Sequence, residues 1–388
     1  MKSIPYGHQE INQADIDAVT EVLRSDWLTQ GPTISCFERK VAEYCGVNYA
    51  VAVSSATAGL HLACLAAGLA ESDILWTSPN TFVASANCGR YCGAAVDFVD
   101  IDPRSYNLSV AQLENKLIQA SKQQKLPKVV IPVHFAGQSC DMAKIAQLAQ
   151  QYQFTVIEDA SHALGGRYQE QKVGNCAFSD MVVLSFHPVK IITTGEGGMV
   201  LTNRLDLYEK LLRLRSHGIT REPQQMTATS DGAWYYQQLD LGYNYRLTDI
   251  QAALGISQLT RLDQFVARRH ELVARYHHAF ANLPLILPYE EAEVYSAYHL
   301  YVIQLKLNEM SKTRRQVFDE LRAANILVNV HYIPVHTQPY YQQLGFKIGD
   351  FPQAEQYYNA AISLPLFPSL TEVEQDYVIH AVQQAVIS

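Results

Sequence analysis

What most limits the folding of this chain is a regular alternation across its first two-thirds. Short apolar runs that read as strands are separated by stretches that read as helices. The strand candidates are 49–53, 73–77, 96–99, 128–133, 154–157, 181–186 and 199–202, and helical stretches at 56–70, 82–89, 109–120 and 142–152 fill most gaps. Apolar runs of this length, bounded by loops, suit strands covered on both faces. Strands joined through helices pair in parallel, because a parallel crossover needs a connection of helix length. The pattern predicts an α/β fold built on one seven-stranded, mostly parallel sheet. Such sheets hold their ligands beyond the carboxyl ends of the strands. Ser55, Asp159 and Lys190 all fall at or just past such ends.

From Thr248 the character changes. Residues 248–278 read as a long helix or a helix pair. They are followed by strand-like 298–307, helical 312–324, an extended run 327–331 and a last helix at 372–386. The expectation is a large domain over 1–250, including an N-terminal substrate segment, and a smaller C-terminal α+β domain over 251–388. A chain of 388 residues that is 48% hydrophobic can bury two such cores.

Charge and cysteine usage narrow the partners. The formal charge is −8, and no basic stretch with interleaved aromatics stands out, which argues against nucleic acid. The first residues carry no apolar run of signal-peptide length. The least polar stretch, 56–70, is short for a membrane span and contains His61. Seven cysteines with no CxxC pair suggest reduced thiols in a cytoplasm. His331 with His336, and His277 with His278, lack carboxylate or thiolate company at ligand spacing, so no metal is expected.

Two charges carry the chemistry. Lys190 closes Ser185-Phe186-His187-Pro188-Val189-Lys190, directly after an apolar strand. Alone it would read as a surface lysine. Pro188 shapes the turn before it, and Gly195, Gly197 and Gly198 permit tight backbone behind it. Asp159 ends another strand; its ordinary reading is a helix N-cap, and Glu158 beside it has no assigned role. A buried carboxylate needs a cationic partner. A lysine amine and a carboxylate so placed are what a pyridoxal phosphate (PLP) site requires, one to attach the cofactor and one to keep its ring nitrogen protonated. Ser54-Ser55-Ala56-Thr57-Ala58-Gly59 follows a strand and opens a helix, which makes a phosphate cradle or simply a capped helix. Phe82, just past a further strand end, reads equally as a ring-stacking aromatic or a core residue.

With these pieces in place the chain resembles the DegT/DnrJ/EryC1/StrS family of PLP-dependent sugar aminotransferases. The likeness runs over nearly the whole length. It rests on Ser25-Asp26-Trp27-Leu28-Thr29-Gln30-Gly31-Pro32, Ser55-Ala56-Thr57-Ala58, Glu158-Asp159-Ala160-Ser161-His162, the Lys190 segment, Thr194-Gly195-Glu196-Gly197-Gly198 and the run from Gly242 to Ala253. The resemblance implies PLP fold type I, the aspartate-aminotransferase fold, and a homodimer with shared active sites. It makes Lys190 the Schiff-base lysine and Asp159 the pyridinium partner. Phe82 would stack on the ring, and His162 would lie near the ring oxygen. Ala56, Thr57 and Ser185 would hold the phosphate, joined by Asn244 from across the dimer.

Within the family the resemblance is to the pseudaminic-acid branch, which aminates C4 of a UDP-linked 4-keto-6-deoxy-N-acetylhexosamine. Tyr6, Asp26, Trp27, Leu28 and Thr29, with His331, Tyr332, Ile333 and Pro334, would then line the nucleotide-sugar cleft. L-glutamate would be the amino donor. Relatives that aminate other nucleotide-linked 4-keto-6-deoxy sugars share much of this pattern. Some members dehydrate sugars instead, and some of those carry histidine at the lysine position, which Lys190 argues against.

Overall fold

The computed structural model describes residues 3–387. Seven strands make its central sheet: β1 (Tyr49–Val53), β2 (Ile74–Thr77), β3 (Ala95–Phe98), β4 (Val129–Ile131), β5 (Thr155–Asp159), β6 (Met181–Ser185) and β7 (Gly198–Thr202). Their spatial order is β1-β7-β6-β5-β4-β2-β3. Neighbours from β6 to β3 pair in parallel, while β7 runs antiparallel to both β1 and β6. The exception follows from connectivity. A loop without a helix joins β6 to β7, so the chain must turn straight back. The carboxyl ends of β1, β5 and β6 and the amino end of β7 therefore meet along one edge.

Helices cover the sheet, as expected for strands apolar on both faces. Helix α1 (Ala56–Ala66) is buried nearly all round, including Leu60, Leu62, Ala63 and Cys64. Its small residues let it lie close against the sheet. Helix α2 (Ala84–Tyr91) packs beside it. The predicted helix or helix pair after Thr248 is a pair, α3 (Asp249–Leu259) and α4 (Leu262–Phe280), broken at Thr260 and Arg261.

A second core gathers Leu272, Val273, Tyr276 and Phe280 of α4 with Val378 and Val382 of α5 (Glu372–Ile387). Each fully buried side chain of this size contributes about 1.5–3 kcal/mol. The same core takes in a three-stranded antiparallel sheet of Leu285–Ile286, Tyr301–Leu305 and Ala361–Leu364. The extended run expected at 327–331 forms only a two-residue strand, Ile326–Leu327, paired in parallel with Ile4–Pro5. This pairing brings Tyr6 against His331, with ring centroids 5.0 Å apart. Among the described residues, no helix is long and apolar enough to cross a membrane.

Candidate active site

Asp159 is the last residue of β5 and is 5% exposed. Its Oδ2 accepts a hydrogen bond from Ser85 Oγ of α2 at 2.6 Å, and its Oδ1 accepts one from the Ser161 amide at 3.1 Å. Ser185 ends β6, and the loop that follows is tied to itself. Phe186 N donates to Gly197 O at 2.9 Å, Thr194 N to Phe186 O at 3.0 Å, and Lys190 N to His187 O at 2.9 Å. Lys190 thus sits on a closed turn one strand away from Asp159.

At the same edge β1 hands over to α1. Ser55 caps the helix by accepting from Ala58 N at 3.1 Å. The first-turn amides of Ala56 and Thr57 have no partner within the helix, as helix starts dictate. Gly198 is what lets β7 come so close. A Cβ there would stand 2.5 Å from Ala56 N. Bare amides at a positive helix end form an anion site.

These elements enclose a cavity of about 710 Å³. Tyr6, Ala56, Thr57, Phe82, Asp159, His162, Ser185, Lys190, His331 and Tyr332 all line it. Phe82 is 58% exposed, so it is no core residue; its ring stands at the cavity, 6.3 Å from that of Tyr332. Other predicted site residues lie elsewhere. Asp26, Trp27, Leu28 and Thr29 are exposed and outside the cavity walls, with Trp27 at 58%. Asn244 is exposed and bridges to Ser216, Ile333 is exposed, and Pro334 is buried away from the cavity.

Sequence reasoning missed several neighbours. His299 lines the cavity and packs against His162 with ring centroids 4.3 Å apart. Gly137 permits this approach, since a Cβ there would lie 2.6 Å from Tyr298 N. Ser54, Thr81 and Glu196 also line the walls, and Ser85 stands behind Asp159. Ser54 and Glu196 lay inside quoted motifs. Thr81 directly precedes Phe82, whereas Ser85 and His299 carry no local signal, because their partners are distant in sequence.

Burial controls protonation here. It lowers the Lys190 amine to about 8, although the Asp159 charge works the other way. Burial and the Lys190 charge push His331 down to about 3. Burial first, with Lys190 and His331 adding to it, holds His162 well below the ordinary histidine range. His162 Nδ1 lies 3.2 Å from the amide of Ala136 and accepts from it, so the neutral ring carries its hydrogen on Nε2. That N–H points at Tyr332 Oη, 3.1 Å away. Burial raises the Tyr332 phenol above its usual range, leaving its own proton free to donate.

The residues present fit pyridoxal phosphate. They supply an amine of lowered basicity, a buried carboxylate with no cationic side chain bonded to it among the described residues, an anion cradle and a largely exposed aromatic ring, all on one cavity. Comparison with known proteins agrees. The profile of the DegT/DnrJ/EryC1/StrS aminotransferase family matches residues 9–383. The chain belongs to that family.

Among relatives, the Bacillus subtilis spore coat polysaccharide biosynthesis protein SpsC is 40% identical over 386 residues, covering 99% of this chain and 97% of that one. A Campylobacter jejuni UDP-4-amino-4,6-dideoxy-N-acetyl-beta-L-altrosamine transaminase is 38% identical over 381 residues, 97% of this chain and 95% of its own. The solved structure of Helicobacter pylori PseC, an aminotransferase involved in the biosynthesis of pseudoaminic acid, superposes with a TM-score of 0.90 at 32% identity, covering 99% of both chains. Solved neighbours of this fold occur in PLP and PMP forms. The fold is that of PLP-dependent aminotransferases, pyridoxal phosphate is the cofactor, and the chain is a sugar aminotransferase.

Proposed function

We propose that this family member transfers an amino group from L-glutamate to C4 of a UDP-linked 4-keto-6-deoxy-N-acetylhexosamine, in pseudaminic acid biosynthesis. The substrate assignment is supported by the names of the Campylobacter and Helicobacter relatives. The observation that carries the chemistry is that Lys190 and Asp159 wall the same cavity.

When bound, pyridoxal phosphate supplies an aldehyde for covalent attachment and an electron-poor ring that delocalises the charge left when a carbon loses its proton. The chain's own residues do the rest. Lys190 anchors the cofactor and, once freed, moves the proton from the donor's Cα and later returns one to the sugar carbon. An amine lowered to about 8 is well matched to both directions near neutral pH. Asp159 holds the ring nitrogen charged. Ala56 and Thr57 amides, with the Ser185 hydroxyl, hold the phosphate. Phe82 covers one ring face. His162 offers no further hydrogen to the cavity beyond the one on Tyr332, so the free Tyr332 hydroxyl is the donor toward cofactor or sugar.

Tyr6, His331 and Tyr332 contribute to the sugar site from the same chain. Asp26 to Thr29, Ile333, Pro334 and Asn244 lie outside it. Their proposed roles call for a homodimer in which each copy completes the site of the other. Residues 1–250 and 251–388 are proposed as the two domains. The test is incubation with UDP-4-keto-6-deoxy-N-acetylhexosamine and L-glutamate, followed by NMR of the product. A new amine at C4 supports the reading. No amine with this sugar, but one with a GDP- or dTDP-linked 4-keto sugar, moves the substrate while leaving the chemistry.

A further inference from the structure

Beside Asp159 stands a pair of hydroxyls that no step above uses, Thr81 on the cavity wall and Ser85 behind it. Ser85 Oγ lies 2.6 Å from Asp159 Oδ2, and Thr81 Oγ1 lies 2.8 Å from Ser85 Oγ. Both residues are closed off from solvent, Thr81 at 2% and Ser85 at 0% exposed. A bland account exists, since a serine inside a helix commonly bonds back to a carbonyl of the preceding turn. Here that carbonyl, Phe82 O, is 3.5 Å away, at the limit of a hydrogen bond. The single Ser85 proton therefore goes to the carboxylate, where distance and charge both favour it. With its proton committed, Ser85 can only accept from Thr81. The hydroxyls form a one-way chain, Thr81 to Ser85 to Asp159.

We infer that Thr81 and Ser85 are positioning residues that hold Asp159 as a carboxylate of fixed orientation for the cofactor's ring nitrogen, an inference that rests on the function proposed above. Ser85 grips one oxygen and the Ser161 amide the other, at 3.1 Å, so the carboxylate plane cannot rotate. Donors to the anion stabilise it over the neutral acid. The proton shared between Asp159 and the ring nitrogen is thereby kept on the nitrogen. Thr81 and Ser85 also flank Phe82, so the chain ties the aromatic beside the cavity to the acid at its floor.

The test titrates full-length protein with pyridoxal phosphate and records the ¹⁵N resonance of the bound ¹⁵N-labelled ring nitrogen. Ser85→Ala should weaken binding about tenfold, the size of one charge-assisted hydrogen bond, and shift the resonance toward the unprotonated position. Thr81→Val should move both readings the same way by less. In an Asp159→Asn background, adding Ser85→Ala should change neither, because the hydroxyl would act only through the carboxylate. A structural role alone would leave the resonance in place and add its cost in either background. Wild-type affinity and an unmoved resonance in Ser85→Ala would overturn the inference. If that variant does not fold, unchanged readings in Thr81→Val do the same. Failure of the wild-type chain to bind the cofactor would instead overturn the proposed function.

Discussion

The last two residues of β5 are both acids, and they meet opposite fates. Strand geometry sends successive side chains to opposite faces of the sheet. Glu158 enters a closed network. Its Oε2 is 2.6 Å from His134 Nε2, its Oε1 accepts from Ser179 Oγ at 2.6 Å, and His134 Nδ1 accepts from the Cys140 amide at 3.1 Å. His134 is fully buried, and protein donors use both Glu158 oxygens. Asp159 also receives two donors, yet it faces a cavity with a lysine across it. One acid is finished by the protein, and the other is left a place for a partner. The acidic residue type does not distinguish structure from function here; the face of the pleat does.

That contrast can be broken by experiment. The largest effect is expected on the cavity side. Lys190→Ala removes both attachment and proton transfer. Its amination rate should fall by at least ~10²–10⁴-fold, measured as aminated sugar formed per enzyme. A retained absorbance band from covalently attached cofactor in this variant would contradict the assignment.

Next comes a paired test of the two acids. Asp159→Asn should weaken cofactor binding by about 10- to 100-fold, because a charged hydrogen bond is lost, while the apoprotein unfolds in denaturant much as before. Glu158→Gln should do the reverse. Its amide keeps one acceptor oxygen, so either the His134 N–H or the Ser179 proton loses its acceptor, costing about 1–3 kcal/mol of stability with cofactor affinity little changed. If Glu158→Gln lowered cofactor affinity as much as Asp159→Asn, the two faces would not be separate devices.

The smallest effect is a pH dependence. Only a neutral amine can capture the cofactor. Because burial brings Lys190 down to about 8, the neutral fraction climbs about tenfold from pH 7 to 9 and then levels. The capture rate followed by absorbance should do the same. A rate still rising steeply beyond pH 10 would mean that the amine behaves as an ordinary exposed lysine.

Much of the fold was legible because it rests on local pattern. All seven sheet strands lie where apolar runs predicted them, with shifts at the ends. The run 128–133 shortens to Val129–Ile131 at Pro132, which has no amide hydrogen to donate. The run 154–157 instead starts at Thr155 and extends through Asp159, because Glu158 and Asp159 pair with Val182 and Val183. Lys190 and Asp159 were legible because strand ends and loop motifs mark them. Ser85 and His299 were not. Ser85 meets Asp159 across 74 residues of chain, and His299 meets His162 across 137 (299 − 162). Asp26 to Thr29 and Asn244 were singled out by motif alone, and they are not among the residues that line the cavity.

The loop between β6 and β7 has a consequence for how the lysine moves. It is a hairpin leashed at both ends to neighbouring strands and cross-tied by Phe186, Thr194 and Gly197. Closing so short a span costs little chain entropy. These ties hold the backbone under Lys190, so its amine travels by its four side-chain torsions. A tethered arm of fixed root and limited radius keeps returning its proton to the same few cubic ångströms.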